Sequence, residues 1–442
     1  MIRQPAVAGR FYPDTAETLN AFLDDALVGT PQRPARAIIA PHAAYIYSGK
    51  TAGRGFAEIA GEFSRIVLLG PTHYHPFDGV SIAPFDYYRT PLGDIPVDRP
   101  ACDALLTGCE LACELRNAHD REHSIEVELP FIQRRWPDAS IVPIICGQMS
   151  WSDAAALASA LRTLWEDPDT LFVISSDFTH YGEHFDYRPD ADPETLDRGA
   201  IDTILAKRGF SDYVDRTGAT VCGARPIATL LTLLSAESTT LIHYTNSAEV
   251  SGDHENVVGY ASIIIEERLS RADQVMLLRL ARQAIFDKHT LPPEGMSDVL
   301  REDGSCFVTL HLHGQLRGCI GCVAAYQPLA ENVIRNARAA AYEDSRFSRV
   351  TPEEIPDFHI EVSYITASEA IADITEFELG RHGIVLEKGR NRSVFLPQVP
   401  GEQGWDTATT LEYLSRKAGL SSHGWRDPDC QLSVFESLCF SE

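Results

Sequence analysis

The sequence predicts two domains: an α/β domain with a mostly parallel sheet, then a smaller α+β domain. Three observations carry this. From Ala35 to about residue 265, short apolar runs alternate with helix-period segments, the pattern of strand–helix–strand units. Runs such as Arg65–Leu69 lack in/out alternation, as expected of strands buried on both faces. A charged stretch, Glu266–Asp273, closes this series, and the pattern behind it is no longer a regular alternation.

In order, Thr18–Leu27 has a helical apolar period, and Gly29–Pro34 is a loop. Strands are expected at 36–39, 66–69, 80–83, 140–145, 171–175, 239–244 and 258–265. Helices are expected at about 50–62, 100–108, 122–136, 152–165, 195–208 and 225–236. The boundary falls at Glu266–Asp273, which has few residues suited to a core and is expected to be an exposed linker. The domains are then 1–268 and 275–442, since 442 residues exceed the size at which single cores usually divide.

The second domain opens with a helix from Val275 to Phe286. A strand at Cys306–His313, a turn at Gly314 and the glycine-rich Leu316–Gly321 follow. Leu329–Tyr342 is an alanine-rich helix. Phe358–Thr366 alternates as a strand, Gly383–Leu386 and Ser393–Leu396 read as a hairpin pair, and Thr407–Ala418 is helical.

A formal net charge of −25 opposes non-specific binding to nucleic acid or to anionic membrane, both of which need basic surface. No apolar run reaches membrane-spanning length, and the first residues lack the apolar core of a signal peptide. The expectation is a cytoplasmic protein whose ten cysteines are reduced thiols.

Chemistry collects at the carboxyl ends of parallel strands. Here the strand ending at Ala40 is followed by Pro41 and His42. The strand ending at Leu69 is followed by Gly70, Pro71 and His73, with His75 beyond. The strand from Leu171 leads to Asp177 and His180. One sheet could point His42, His73 and His180 into one crevice. Neutral imidazole is the commonest metal ligand, and a catalytic site commonly uses three protein ligands and leaves a position open. Cys222, just ahead of the helix begun by Arg225-Pro226, is the candidate third ligand, and its thiolate would suit iron, copper or zinc. Asp177 and His180 offer an acid/base pair. His123 and Glu126, three apart, are expected on one helix face as a supporting shell or proton relay.

In the second domain, Cys319 and Cys322 form a C-x-x-C without a second pair, which argues against a structural zinc site. Cys319 is the candidate reactive thiol. Arg317 and the amides of a Gly318–Gly321 turn could cradle an anion.

These motifs resemble known families. Arg3 to Pro13, Ala40 to Tyr45, Gly70 to His73, Glu122 to Glu126, Ser175 to His180 and Thr220 to Gly223 resemble the Memo family. Memo proteins are similar in fold to the class III extradiol dioxygenases, the LigB-like non-haem iron enzymes. That implies a three-layer α/β domain with His42, His73 and Cys222 at metal-ligand positions, His180 as general base and Asp177 lining the pocket. The dioxygenases carry a glutamate where Cys222 lies, which argues against ring-cleaving activity. The hexapeptide Leu316–Gly321, with Tyr342–Phe347 and Leu379–Ile384, resembles the AMMECR family. Both families belong to the prokaryotic AmmeMemoRadiSam system, and this chain resembles its B and A components fused. The resemblance implies a radical SAM protein as partner and iron or copper, ahead of zinc, as the ion. A metal-dependent, redox-related enzyme or metal-binding component is therefore expected. The alternative is a non-enzymatic adaptor that reuses a dioxygenase-like pocket.

Overall fold

Four apolar runs, at Arg33–Ala40, Arg65–Pro71, Ser140–Cys146 and Thr170–Ser175, lie side by side as parallel strands at the centre of one large sheet. Their order across the sheet is 33–40, 170–175, 65–71 and 140–146. The computed structural model describes residues 1–442, apart from the side chain of Ile355. The chain divides into two units, Met1–Glu267 and Arg268–Glu442.

In the first unit, Val257–Glu266 joins the 33–40 strand antiparallel and carries Ser238–Asn246 outside it. Val80–Ile82 pairs antiparallel with the 140–146 strand at the other side. Every residue from Thr170 to Ser175 is buried, as a strand covered on both faces requires. One group of helices, Tyr45–Glu58 with Ala16–Ala26 and Leu129–Arg135, packs over the 33–40 side. A second group, Trp151–Glu166 and Ala224–Leu233, packs over the 170–175 and 65–71 strands. The result is the expected three-layer α/β architecture. Among the described residues no helix is long and apolar enough to cross a membrane.

The expected elements differ from the observed ones in a few places. The helix expected at 50–62 begins earlier, at Tyr45, and ends at Glu58. The helix expected at 122–136 is a 3₁₀ turn at Glu126–Glu128 running into Leu129–Arg135; residues 122–125 are not helical. The expected linker is ordered: the Ser270 hydroxyl caps the helix Arg271–Phe286, its carboxylate partner Asp273 returns the bond, and Leu269 is fully buried. This correction makes the stretch a poor target for proteolysis.

The second unit is α+β, with two antiparallel sheets. One runs Gln315–Gly321, Ser305–Leu312, Phe358–Ile365, Ser437–Ser441; the other runs Glu369–Ala370, Gln431–Phe435, Gly383–Lys388, Asn391–Phe395. The helices 271–286 and Leu329–Tyr342 pack together beside the first sheet. Gly318–Gly321 is therefore strand and not turn, paired with the 305–312 strand across a register shift at Leu310/His311. Side chain and backbone amides are committed accordingly. Arg317 is ion-paired with Glu354 and donates to the Ser348 carbonyl, and the Cys319 amide donates to Asp344. The expected anion cradle does not form. Nor does Cys319 sit in a thiolate-stabilising setting, since burial pushes its thiol up.

Candidate metal centre

The sheet order decides which residues meet. Three adjacent parallel strands, 33–40, 170–175 and 65–71, end at one edge. They deliver His42, the Asp177–His180 segment and His73 to the same crevice. Cys222 arrives from the other side, ahead of the 224–233 helix. Gly223 permits this approach: a Cβ there would stand 2.4 Å from the Ser176 Cβ. The Gly223 amide instead donates to Ser176 Oγ at 3.0 Å, and the Asp177 amide points at Cys222 Sγ at 3.1 Å.

The donor atoms of His42, His73 and Cys222 all lie within 4.8 Å of one another. His42 Nε2 is 3.3 Å from Cys222 Sγ. Two further groups hold the imidazoles in orientation. His42 Nδ1 is 2.8 Å from Ser175 Oγ. Ser175 Oγ has one proton and lies 2.6 Å from the Ser124 carbonyl, which can only accept. With the proton directed there, Ser175 accepts from His42 Nδ1–H and leaves Nε2 with its lone pair toward the crevice. Glu128 Oε1, 3.0 Å from the same hydroxyl, is a second acceptor for that proton, and burial pushes the pKa of its carboxyl up.

His73 is held by Glu122. Its Nδ1 lies 2.8 Å from Glu122 Oε1, and its amide donates to Oε2 at 2.6 Å. The amides of His123 and Ser124 also donate to Glu122 Oε1, at 2.9 and 3.0 Å. Burial opposes the carboxylate charge, but the hydrogen bond and charge of His73, with these amides, hold its pKa down at about 2. A carboxylate on the far nitrogen of a ligating histidine is the usual support of a metal-bound imidazole. Glu122, His73 and His123 also cluster within ligand distance. Glu122 already takes four donors, however, which suits it to supporting His73 more than to ligation.

His123 joins the cluster through its ring, with centroids 4.5 Å from His73 and 5.4 Å from His42. Burial pushes its pKa down to about 3, and burial also holds His42 well below the usual range. Both shifts favour the uncharged imidazole, the form in which His42 could ligate. Burial pushes the Cys222 thiol up, so a cation is needed to hold it as thiolate.

Asp177 and His180 stand at the crevice without a direct hydrogen bond between them. The Asp177 carboxylate accepts from the His42 amide at 2.8 Å and is buried, which raises its pKa. His180 Nδ1 lies 2.9 Å from the Phe178 carbonyl and 3.1 Å from that of Thr220, both acceptors, so Nδ1 carries a proton and Nε2 is the nitrogen left to exchange one. His75 lies apart from the triad, its ring stacked near Phe77.

Glu126 does not belong to the cluster. Its fully buried carboxylate is ion-paired with Arg3 and accepts from the amides of Ala6 and Val7 and from the Tyr12 hydroxyl. The expected pairing of His123 and Glu126 fails because their segment is not a helix. Glu126 instead ties the N-terminal arm to the domain.

Sequence reasoning did not assign Glu122, Ser175, Glu128 or Asp197. Glu122 precedes His123 directly, a signal that an acid beside a histidine deserved weight. Asp197 reaches the site from the helix Pro193–Leu205: it accepts from the Thr179 amide and from Tyr244 Oη, each at 2.8 Å, and so anchors the segment leading to His180. Gly259 leaves room for it, since a Cβ there would overlap Asp197 Oδ2. Burial pushes the Asp197 pKa up to about 6. The folded state thus holds this proton more tightly than the unfolded chain. Its stabilising effect is full below the ordinary aspartate range and is lost as pH rises through about 6. Asp197→Asn, which mimics the protonated form, is expected to remove this part of the pH dependence. Denaturant unfolding of both proteins from pH 4 to 7 checks it: the two curves should separate by on the order of 2 kcal/mol, and parallel curves would count against it.

Residues 3–264 match the family model described as Memo-like protein, and residues 278–440 match that of AMMECR1. A MEMO1 family protein of Methanosarcina acetivorans is 40% identical over 273 residues, spanning 60% of this chain and 99% of the relative. A MEMO1 family protein of Methanosarcina mazei is 40% identical over 275 residues, with the same coverage of 60% and 99%. A protein memo-1 homolog of Caenorhabditis elegans is 33% identical over 293 residues, spanning 60% of this chain and 82% of the relative.

Proposed function

Because the chain belongs to the Memo family and carries an AMMECR1 domain behind its Memo-like domain, we propose that the first unit is a metal-dependent, redox-related protein whose ion is held by His42, His73 and Cys222. The observation that supports this most is the convergence of two imidazoles and one thiol within 4.8 Å, each imidazole fixed by a partner on its far nitrogen. The donor set is borderline-soft and fits iron or copper, with zinc as the competitor. Such an ion supplies Lewis acidity or electron transfer, and three protein ligands leave a position for substrate.

The chain's own residues do the rest. Ser175 and Glu122 accept from Nδ1 of His42 and His73 and so aim the Nε2 atoms inward. Asp177 fixes the His42 backbone. His180 accepts or returns a proton at Nε2, because its Nδ1–H is committed to carbonyls.

Metal per chain, measured by elemental analysis after anaerobic purification, tests the reading. Wild type should hold about one iron or copper ion. His42→Ala, His73→Ala and Cys222→Ser should each lose most of it, with circular dichroism unchanged. His180→Ala and His75→Ala should keep it. Full metal in the first three variants, or loss confined to the last two, would overturn the assignment.

A further inference from the structure

A cavity of about 430 Å³ opens beside the triad, lined by His73 and Cys222 and also by Gln148 and Arg225. That volume is in the range of small-molecule sites. Its lining contains no carboxylate, although the protein as a whole carries a net charge of −25. Its one permanent charge is the guanidinium of Arg225.

That guanidinium is held rigidly by one edge and one face. Arg225 Nε donates to the Met149 carbonyl at 2.7 Å. The group lies over the Trp151 ring, 3.4 Å from its centroid. Trp151 is itself fixed, since its Nε1 donates to Asp215 at 2.8 Å. Asp215 is thereby engaged with the indole: its charge acts on the Arg225 guanidinium, but no hydrogen bond or close ion pair joins the two. Among the described residues, neither terminal nitrogen of Arg225 has a protein acceptor. A forked, charged donor with its terminal nitrogens free, stacked in place at the wall of a cavity, is arranged to receive an oxyanion. Holding the guanidinium by Nε and by its face leaves both terminal nitrogens for a bidentate contact, and little side-chain freedom is lost when the contact forms.

We propose that Arg225 is the anchor for an anionic group, a carboxylate or a phosphate, of a small substrate whose other end reaches the His42–His73–Cys222 centre. The substrate-class assignment rests on the metal-site reading above for the reacting end, while the anion contact itself does not require the ion. Arg225 is a binding residue here and takes no part in proton transfer.

The test is isothermal titration of the full chain with inorganic phosphate and, separately, with benzoate, each in chelator-treated and in metal-loaded protein. Wild type should bind at least one probe at one site per chain in the chelated form. Arg225→Gln should weaken that binding at least tenfold, and Arg225→Lys should recover part of it, with metal content unchanged in both. Tighter binding of phosphate or of benzoate tells which oxyanion the site prefers. In wild type, phenylglyoxal should modify Arg225, and the bound probe should block the reaction, a measurement that needs no variant. Binding of neither probe, binding unchanged in Arg225→Gln, or modification of Arg225 unaffected by either probe would overturn the proposal. A wild-type protein that binds anion at Arg225 but holds no metal would instead overturn the metal-site reading and leave the anion contact standing.

Discussion

Glu126→Ala should destabilise the first unit by roughly 3–5 kcal/mol, the range seen when one partner of a buried ion pair is removed. The substitution leaves the Arg3 guanidinium charged and buried, and strips the acceptor from the Ala6 and Val7 amides and the Tyr12 hydroxyl. Each of these groups would then be desolvated without a partner. Arg3 would keep only its bonds to the His119 and Glu122 carbonyls. Since whole domains are stable by only about 5–15 kcal/mol, the variant should unfold at much lower urea. Glu126→Gln, which keeps an oxygen for the amides but loses the charge, should fall between. A shift below about 1 kcal/mol for the alanine variant would mean that the N-terminal arm is not anchored here. Under the supporting-shell or proton-relay role first expected for Glu126, stability would be nearly unchanged and only activity would fall.

Glu122→Gln should lower metal affinity about 10- to 100-fold, the usual cost of losing a partner behind a ligating histidine. Glu122 Oε1 can still be replaced by an amide oxygen facing His123, Ser124 and His73 Nδ1. The amide nitrogen, however, would then face the His73 amide, donor against donor. The loop turns, and His73 loses the orientation that aims its free nitrogen at Cys222 and His42. A competition titration with a chelator of known affinity measures the change. Wild-type affinity in Glu122→Gln would show that His73 is not a ligand or does not depend on this carboxylate.

How much of this was legible in the sequence follows from the range of each interaction. The central strands were readable because strands covered on both faces are continuous apolar runs, as in Ile66–Leu69 and Leu171–Ile174. The residues after them, His42, His73, Asp177 and His180, were readable for the same reason: the end of a parallel strand is a defined place. Cys222 was legible through its position ahead of a helix. What misled was local pattern without its long-range partner. His123 and Glu126 are spaced as on a helix face, yet the Glu126 carboxylate is bound by residues about 115–125 positions away in sequence. Gly318 and Gly321 read as a turn because glycine is rare inside strands. Here their missing side chains let other groups approach: a Cβ on Gly318 would meet the Ala340 carbonyl oxygen at 2.2 Å, and one on Gly321 would meet the Phe307 ring at 2.3 Å. The charged stretch at 266–273 looked like a linker because its capping pair, Ser270 and Asp273, is polar by necessity.

The measurement that bears most directly on the central claim is X-ray absorption at the edge of the bound metal in the full-length protein. A centre built from His42, His73 and Cys222 predicts one sulfur and two imidazole nitrogens around the ion. The sulfur should vanish in Cys222→Ser and persist in His180→Ala. An ion surrounded by oxygen and nitrogen alone in wild type, or a sulfur that survives Cys222→Ser, would contradict it.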